Sequence, residues 1–362
     1  MTAVAARDQE AAVSPAGQPP TAVVSGGVRH YPGGRTVGPI DLEVRSGEVL
    51  ALMGSNGAGK STLLRLLASA DRPDAGRVVW WGDGNPRRAR RRMGYAADEP
   101  VEETSLSSRQ ATFFWCRQWV AETELARRLT AEALLSLGLG DRADEPVGTL
   151  SYGLRRRLAL AQALAHQPAL ALFDEPSAGL DPDGVAVVTA ALRSRVEAGR
   201  TTVVASNDPE FVAGVADRVA MLHEGRCLRV APLQSLLAEV PRQRIVELRV
   251  GEVGPPADGA RHPGDPGRRL AGGVAQETST ERAQMALTAA VAERVGSVVG
   301  VTVLSAAGGL VVAELEEGAP LSDLVAAADA VGSGVRGLEV RRPDLRECFH
   351  ALVGPVAGEA VP

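Results

Sequence analysis

Lysine is all but missing from this 362-residue chain: Lys60 is the only one, and every other strongly basic side chain is arginine. Aromatic residues make up 3%. The three cysteines, Cys116, Cys227 and Cys348, lie far apart. That spacing excludes a cysteine metal site, and so sparse and odd a set fits a reducing compartment. No apolar run reaches the ~18 to 20 residues that span a bilayer. Met1 to Pro20 has no basic segment followed by an apolar core, so no secretory leader is expected. Neither sign of charge dominates; a net −5 gives no support to general nucleic-acid binding. What remains is an ordinary globular composition, 45% hydrophobic and 23% charged, long enough for two domains. The expectation is a cytoplasmic protein, with any membrane span supplied by another chain.

The lone lysine stands in a stretch that explains it. Val49 to Met53 is a continuous apolar run, Thr62 to Ala68 has helical character, and between them lies Gly54-Ser55-Asn56-Gly57-Ala58-Gly59-Lys60-Ser61-Thr62. Gly54, Gly59, Lys60 and Ser61 fit the G-x-x-x-x-G-K-[ST] phosphate loop at every defined position. The glycines let backbone N–H groups approach phosphate oxygens, and the helix start adds its positive dipole end. Lys60 is placed for the β- and γ-phosphates and the Ser61 hydroxyl for Mg²⁺.

Around this loop the chain alternates strands and helices, which predicts a doubly wound α/β core. Residues 1 to about 20 read as a disordered tail. Short strands follow to Val44, with turns at Gly26-Gly27 and at Pro32-Gly33-Gly34. Arg87 to Arg92 is strongly basic: a solvated segment, or a patch for nucleic acid or lipid headgroups. An acidic loop starts at Asp98. Leu106 to Leu139 is helical in pattern and holds Phe113, Phe114 and Trp115, a cluster that is either core or a docking surface. A helix opened by Arg155-Arg156-Arg157 precedes the buried strand Ala169 to Phe173. Asp174 and Glu175 end that strand. Asp174 is expected to hold Mg²⁺ through its water shell, and Glu175 to take a proton from attacking water. Leu150-Ser151-Tyr152-Gly153-Leu154 leads into the arginine-led helix, as a second anion site or a plain N-cap. Beyond about Val240 a smaller α/β or α+β domain is expected, 241–362, with a Pro/Gly-rich linker at about 253–275.

In this order and spacing, these motifs resemble an ABC transporter ATP-binding subunit. Leu150 to Leu154 is similar to the family signature, Leu170 to Glu175 to its Walker B strand, and Ser177-Ala178-Gly179-Leu180-Asp181 to its D-loop. The likeness covers about 21–240. The ending Arg341 to Gly354 is similar, more loosely, to that of ABC-2 and drug-export subunits. The resemblance implies a P-loop NTPase cassette: a RecA-like core, an antiparallel β subdomain and a helical subdomain at about 98–165. It implies ATP and Mg²⁺ as ligands, with Tyr31 stacked on adenine. Ser151 and Gly153 are implied to touch the γ-phosphate held by a second subunit, in a homodimer or heterodimer. The implied partner is an integral-membrane permease of ABC-2 type, which would hold the chain at the inner face of the membrane; no nucleic acid is expected.

Two positions depart from the family pattern. Asp98 stands where a glutamine or glutamate serves the metal and water, and its shorter carboxylate still suits a cation. Asn207, in Ser206-Asn207-Asp208, stands where the family has histidine. Asparagine donates a hydrogen bond but carries no charge and shuttles no proton. The expectation is slower hydrolysis with ATP binding retained. The alternative is a degenerate nucleotide-binding subunit with little activity of its own.

Overall fold

Val49–Met53 is buried along its whole length, as a run of Val, Leu, Ala and Met requires when both faces of a strand are covered. The computed structural model describes residues 19–98, 104–239, 244–250, 273–316, 319–331, 335–341 and 343–353. In it this strand lies within a six-stranded sheet, in the order Met93–Ala96, Leu170–Asp174, Thr201–Ser206, Val49–Met53, Arg218–His223, Arg226–Pro232. The first five are parallel and the last runs antiparallel. In such a sheet the carboxyl ends of the parallel strands carry the ligand site.

A second sheet orders Thr36–Val44, Ala22–His30 and Ala75–Trp80 antiparallel. Helix Lys60–Leu67 shares one core with both sheets: Leu63, Leu64, Leu66 and Leu67 pack with Ala22, Val24 and Ile40 on one side and Leu50, Leu52 and Leu172 on the other. Each buried leucine contributes about 1.5–3 kcal/mol, so the phosphate loop is anchored by its flanks. Trp80 adds an indole N–H bond to Leu67 O at 2.8 Å.

Gly26-Gly27 is not a turn, as the sequence suggested. The strand Ala22–His30 runs through it, with register shifts between Val24 and Gly27 and between Gly27 and Arg29. Gly26 takes φ +56, and its N–H is held by Asp41 Oδ1 at 2.8 Å. A residue in the left-handed region inside a ladder makes a bulge, and glycine does so without steric cost.

The helical pattern over 106–139 resolves into two helices, Ser108–Arg117 and Thr123–Ser136. Ser107 and Gln110 open the first with a capping box. The Arg117 guanidinium bonds the carbonyls of Val120 and Ala121 just past its end, holding the chain in a turn. Phe113 is half-buried, whereas Phe114 and Trp115 are 56% and 48% exposed: the cluster lies mostly on the surface.

The chain divides into two compact units, Met1–Leu237 and Ala238–Pro362. In the second, Arg244–Val250, Val301–Ala307, Leu310–Leu315 and Val335–Arg341 form an antiparallel sheet. Its order is Val301–Ala307, Leu310–Leu315, Arg244–Val250, Val335–Arg341. Helices Gly273–Gly296 and Leu321–Asp329 fall between the first and second and the third and fourth strands in sequence, a split βαβ arrangement. Val246, Leu248, Val291, Val295, Val311 and Leu324 make its core. The expected tail up to residue 18, most of the acidic loop after Asp98 and residues 253–272 of the expected linker lie outside the described residues; Gly273 already opens a helix.

Candidate functional site

The phosphate loop is shaped by two glycines above all. A Cβ on Gly54 would lie 2.1 Å from Leu222 O, and Gly59, at φ +104, is the N-cap of Lys60–Leu67. No side chain caps that helix, so its N-terminal amides are left for an anion. Lys60 is 6% exposed; its Nζ donates to Gly54 O at 2.7 Å and Ser55 O at 3.3 Å and lies 3.7 Å from Glu175 Oε1. Burial lowers its pKa, opposed by Glu175 and Asp174.

Two further strand ends meet this loop. Asp174 ends its strand with Oδ1 buried and unpartnered, while a hydrogen bond from Ser61 works against the burial that raises its pKa. Glu175 follows; burial raises its pKa, opposed chiefly by Lys60. Asn207, just past Thr201–Ser206, donates its backbone N–H to Glu175 Oε2 at 3.4 Å and its Nδ2 to Asn56 Oδ1 at 3.4 Å. Asn207 thus sits between the phosphate loop and the strand-end carboxylate. Tyr31 bonds Thr62 Oγ1 at 2.9 Å, and the guanidinium groups of Arg29 and Arg35 lie 5.8 and 6.0 Å from its ring centre. Arg35 also donates to Gly57 O at 2.7 Å.

The signature-like residues form a separate group. Ser151 accepts from Leu154 N at 3.3 Å, the geometry of a plain N-cap for Tyr152–Leu164. A Cβ on Gly179 (φ +69) would lie 2.5 Å from the Tyr152 ring, and one on Gly153 would lie 3.2 Å from Gly179 O. The signature-like and D-loop-like stretches are therefore packed on each other. Asp181 accepts from Gly184 N at 2.8 Å and caps Pro182–Glu197. Among the described residues, no hydrogen bond joins residues 150–154 to the phosphate loop.

Asp98 is held by Arg156, with Oδ1 3.2 Å from Nη2, and its charge still raises the pKa of Asp174. Arg156 is the site residue that sequence reasoning missed. The run Arg155 to Arg157 read as a basic turn, yet each of the three donates to a backbone carbonyl: Arg155 to Leu150, Arg156 to Ala97 and Glu175, Arg157 to Leu137. A signal existed in the helix period. Arg156, Ala159, Leu160, Ala163 and Leu164 fall at i, i+3, i+4, i+7 and i+8, the buried stripe.

A glycine-rich loop between a buried parallel strand and a helix, met by an Asp–Glu pair at the end of the next strand but one in the sheet, defines a P-loop nucleotide-binding protein. The family model for ABC transporters matches residues 37–178. The cobalt import ATP-binding protein CbiO of Rhodobacter capsulatus is 37% identical over 218 residues, 58% of this chain and 78% of that protein. The chain belongs to the family of ABC transporter ATP-binding proteins. The daunorubicin resistance ATP-binding protein DrrA3 of Streptomyces coeruleorubidus is 35% identical, covering 64% of this chain and 75% of its own length. The Nod factor export ATP-binding protein I of Burkholderia orbicola is 34% identical, but only 64% of it is covered and 52% of this chain. Among solved structures, cbiO1 of Clostridium perfringens, part of a transporter complex, superposes with a TM-score of 0.55 at 28% identity, over 61% of this chain and 91% of its own. A dimeric ATP-binding cassette bound to ADP and phosphate has the same fold, with a TM-score of 0.54 at 24% identity, covering 59% of this chain and 98% of its own.

Proposed function

We propose that this chain binds MgATP at residues 54–62, hydrolyses it slowly and powers export through a separate permease of ABC-2 type at the inner face of the membrane. The observation that carries the reading is the convergence of Lys60, Asp174, Glu175 and Asn207 at the carboxyl ends of three neighbouring strands. Lys60 is a buried cation set against the loop carbonyls of Gly54 and Ser55, and incoming phosphate oxygens would take over its donors. Glu175, 3.7 Å from Lys60, accepts a proton from water, which a raised pKa favours. Asn207 orients Glu175 through its backbone N–H and donates Nδ2 where the family has an imidazole.

The residues fit a divalent cation: the buried, unpartnered Asp174 Oδ1 beside the Ser61 hydroxyl, with Asp98 adding negative charge. A hard cation that shares phosphate oxygens needs few protein ligands, which agrees with the absence of any three-carboxylate or histidine cluster among the described residues. Mg²⁺ bound there would neutralise charge on the β- and γ-phosphates. Ser151 and Gly153 then act on the γ-phosphate of a second subunit, and Tyr31 stacks on adenine.

Export is supported by the drug-resistance and Nod factor export relatives and by the ending of the chain; the cobalt import relative speaks for the opposite direction. Among the described residues no helix is long and apolar enough to cross a membrane. Cross-linking in native membranes tests the partner: capture of a six-span permease without its own cassette supports the reading, and capture of an importer's membrane subunits overturns it. A second reading rests on Asn207: a partner subunit that hydrolyses little and lends Ser151 to a more active one. ATPase activity of the chain alone, at or below the detection limit, and its rise with a second cassette would favour that reading.

A further inference from the structure

Arg156 is 3% exposed and joins three parts of the site. Its Nε and Nη2 donate to Glu175 O at 3.1 and 2.5 Å, and Nη2 reaches Asp174 O as well. Nη1 donates to Ala97 O at 2.9 Å and to Asp98 O, while Nη2 meets Asp98 Oδ1 at 3.2 Å. The helix that carries it is the one capped by Ser151.

The residue it grips is in an unusual conformation. Glu175 has φ +46, the left-handed region, which costs an L residue energy and persists only where the surroundings hold it. Adjacent residues of a strand point to opposite faces. The reversal at Glu175 breaks that alternation, and Lys60 consequently feels both Asp174 and Glu175. Three groups hold the Glu175 peptide: Ala205 O accepts its N–H at 2.8 Å, and its carbonyl accepts from Ala178 N at 3.1 Å and from Arg156. Only Arg156 among these is a side chain. Its planar fork meets carbonyls from two segments at once, which an ammonium does not.

We infer that Arg156 is a positioning residue for hydrolysis: it locks Glu175 in the left-handed conformation that aims its carboxylate at the phosphate loop, and it ties that conformation to Asp98 and to the helix capped by Ser151. The inference rests on the reading of Glu175 as the proton acceptor. A shift of the helix or of the Asp98 loop would then move the carboxylate without touching the nucleotide.

The test uses the full chain with Arg156→Met, Arg156→Lys, Glu175→Gln and the Arg156→Met/Glu175→Gln pair. It reads kcat, KM, the affinity for a fluorescent ATP analogue and the melting temperature. Arg156→Met is expected to lower kcat on the order of 100-fold, the size of effect that a misplaced catalytic group produces, with analogue affinity within about twofold of the parent, a tolerance set well below that loss. Arg156→Lys should recover part of the rate, to about tenfold below the parent. The paired variant should lose no more than Glu175→Gln alone, because both changes act through one carboxylate. Parental kcat in Arg156→Met beside an inactive Glu175→Gln overturns the inference alone. So does a loss matched by weaker analogue binding, or additive losses in the pair. A Glu175→Gln variant that hydrolyses at the parental rate overturns the reading of Glu175 and the inference with it. Where Arg156→Met does not fold, Arg156→Lys decides: a lower kcat at unchanged affinity supports the inference, and a parental kcat overturns it.

Discussion

Lys60 is 6% exposed and held by two carbonyls and a nearby carboxylate, whereas Tyr152, next to Ser151, is 54% exposed. The first region is finished within one chain. Its strand ends, loop and helix are fixed by a shared core, and its charges are in place before any ligand arrives. The second region is a surface. Ser151 caps its own helix, Tyr152 leans on Gly179, and among the described residues none closes over them. In the proposed function, a second subunit supplies the wall that the exposed half lacks.

The comparison breaks most sharply at Glu175. Glu175→Gln keeps the size and the Asn207 contact but removes the base. Steady hydrolysis should fall by roughly 10²- to 10⁴-fold, the usual worth of a positioned base, with ATP binding retained. Measured by phosphate release and by ATP-analogue titration, equal rates in variant and parent would show that the buried half is not where water is activated.

Gly153→Asp tests the exposed half. A carboxylate placed toward the γ-phosphate of the other subunit should cut hydrolysis on the order of 10- to 100-fold by like-charge repulsion, comparable with losing one transition-state donor. Binding of ATP by the buried half should stay near the parent. Mixing the Gly153→Asp and Glu175→Gln chains sharpens the test, since in a mixed dimer one composite site has Glu175 from the first chain and an intact signature from the second. Activity should reappear on mixing. If both inactive chains stay inactive together while forming dimers, the two halves do not belong to one site.

Much of the buried half was legible in the sequence because its chemistry is contiguous. Gly54 to Thr62 carries loop, lysine and helix start in nine neighbouring positions, and Asp174-Glu175 follows an apolar run that can only be a covered strand. The fold followed from the same alternation of apolar runs and amphipathic stretches. What stayed hidden depends on distant backbone. Arg156 recognises carbonyls of Ala97, Asp98, Asp174 and Glu175, and a carbonyl leaves no mark on residue type. Gly26-Gly27 read as a turn because glycine pairs mark turns and bulges alike, and only the partner strand tells them apart. Trp115, at i+4 from Ala111 and i+3 from Thr112, shares the buried stripe of its helix, and Phe114 flanks it; both are exposed because of what packs there from elsewhere in the chain, which the sequence pattern does not reveal.

A smaller effect is expected within the buried half, at Asn207. Asn207→His would restore an imidazole between Asn56 and Glu175, and turnover should rise, by about tenfold if the ring takes part in proton transfer. The measurement is kcat at saturating MgATP for parent and variant side by side. No rise would mean that the asparagine costs nothing, and that slow hydrolysis is not a property of this position.

The smallest effect separates the two roles that Ser151 holds. As an N-cap, its hydroxyl accepts from Leu154 N at 3.3 Å; as the proposed trans contact, it faces a phosphate. Ser151→Ala removes both, so stability should fall by about 1 kcal/mol in urea unfolding along with the rate. Ser151→Asp keeps the cap, since aspartate is as good an N-cap as serine and its charge suits the helix dipole. Its stability should stay within about 0.5 kcal/mol of the parent, while the added negative charge repels the incoming γ-phosphate and hydrolysis drops. A Ser151→Asp chain as active as the parent would reduce Ser151 to a cap and leave the exposed half without its phosphate contact.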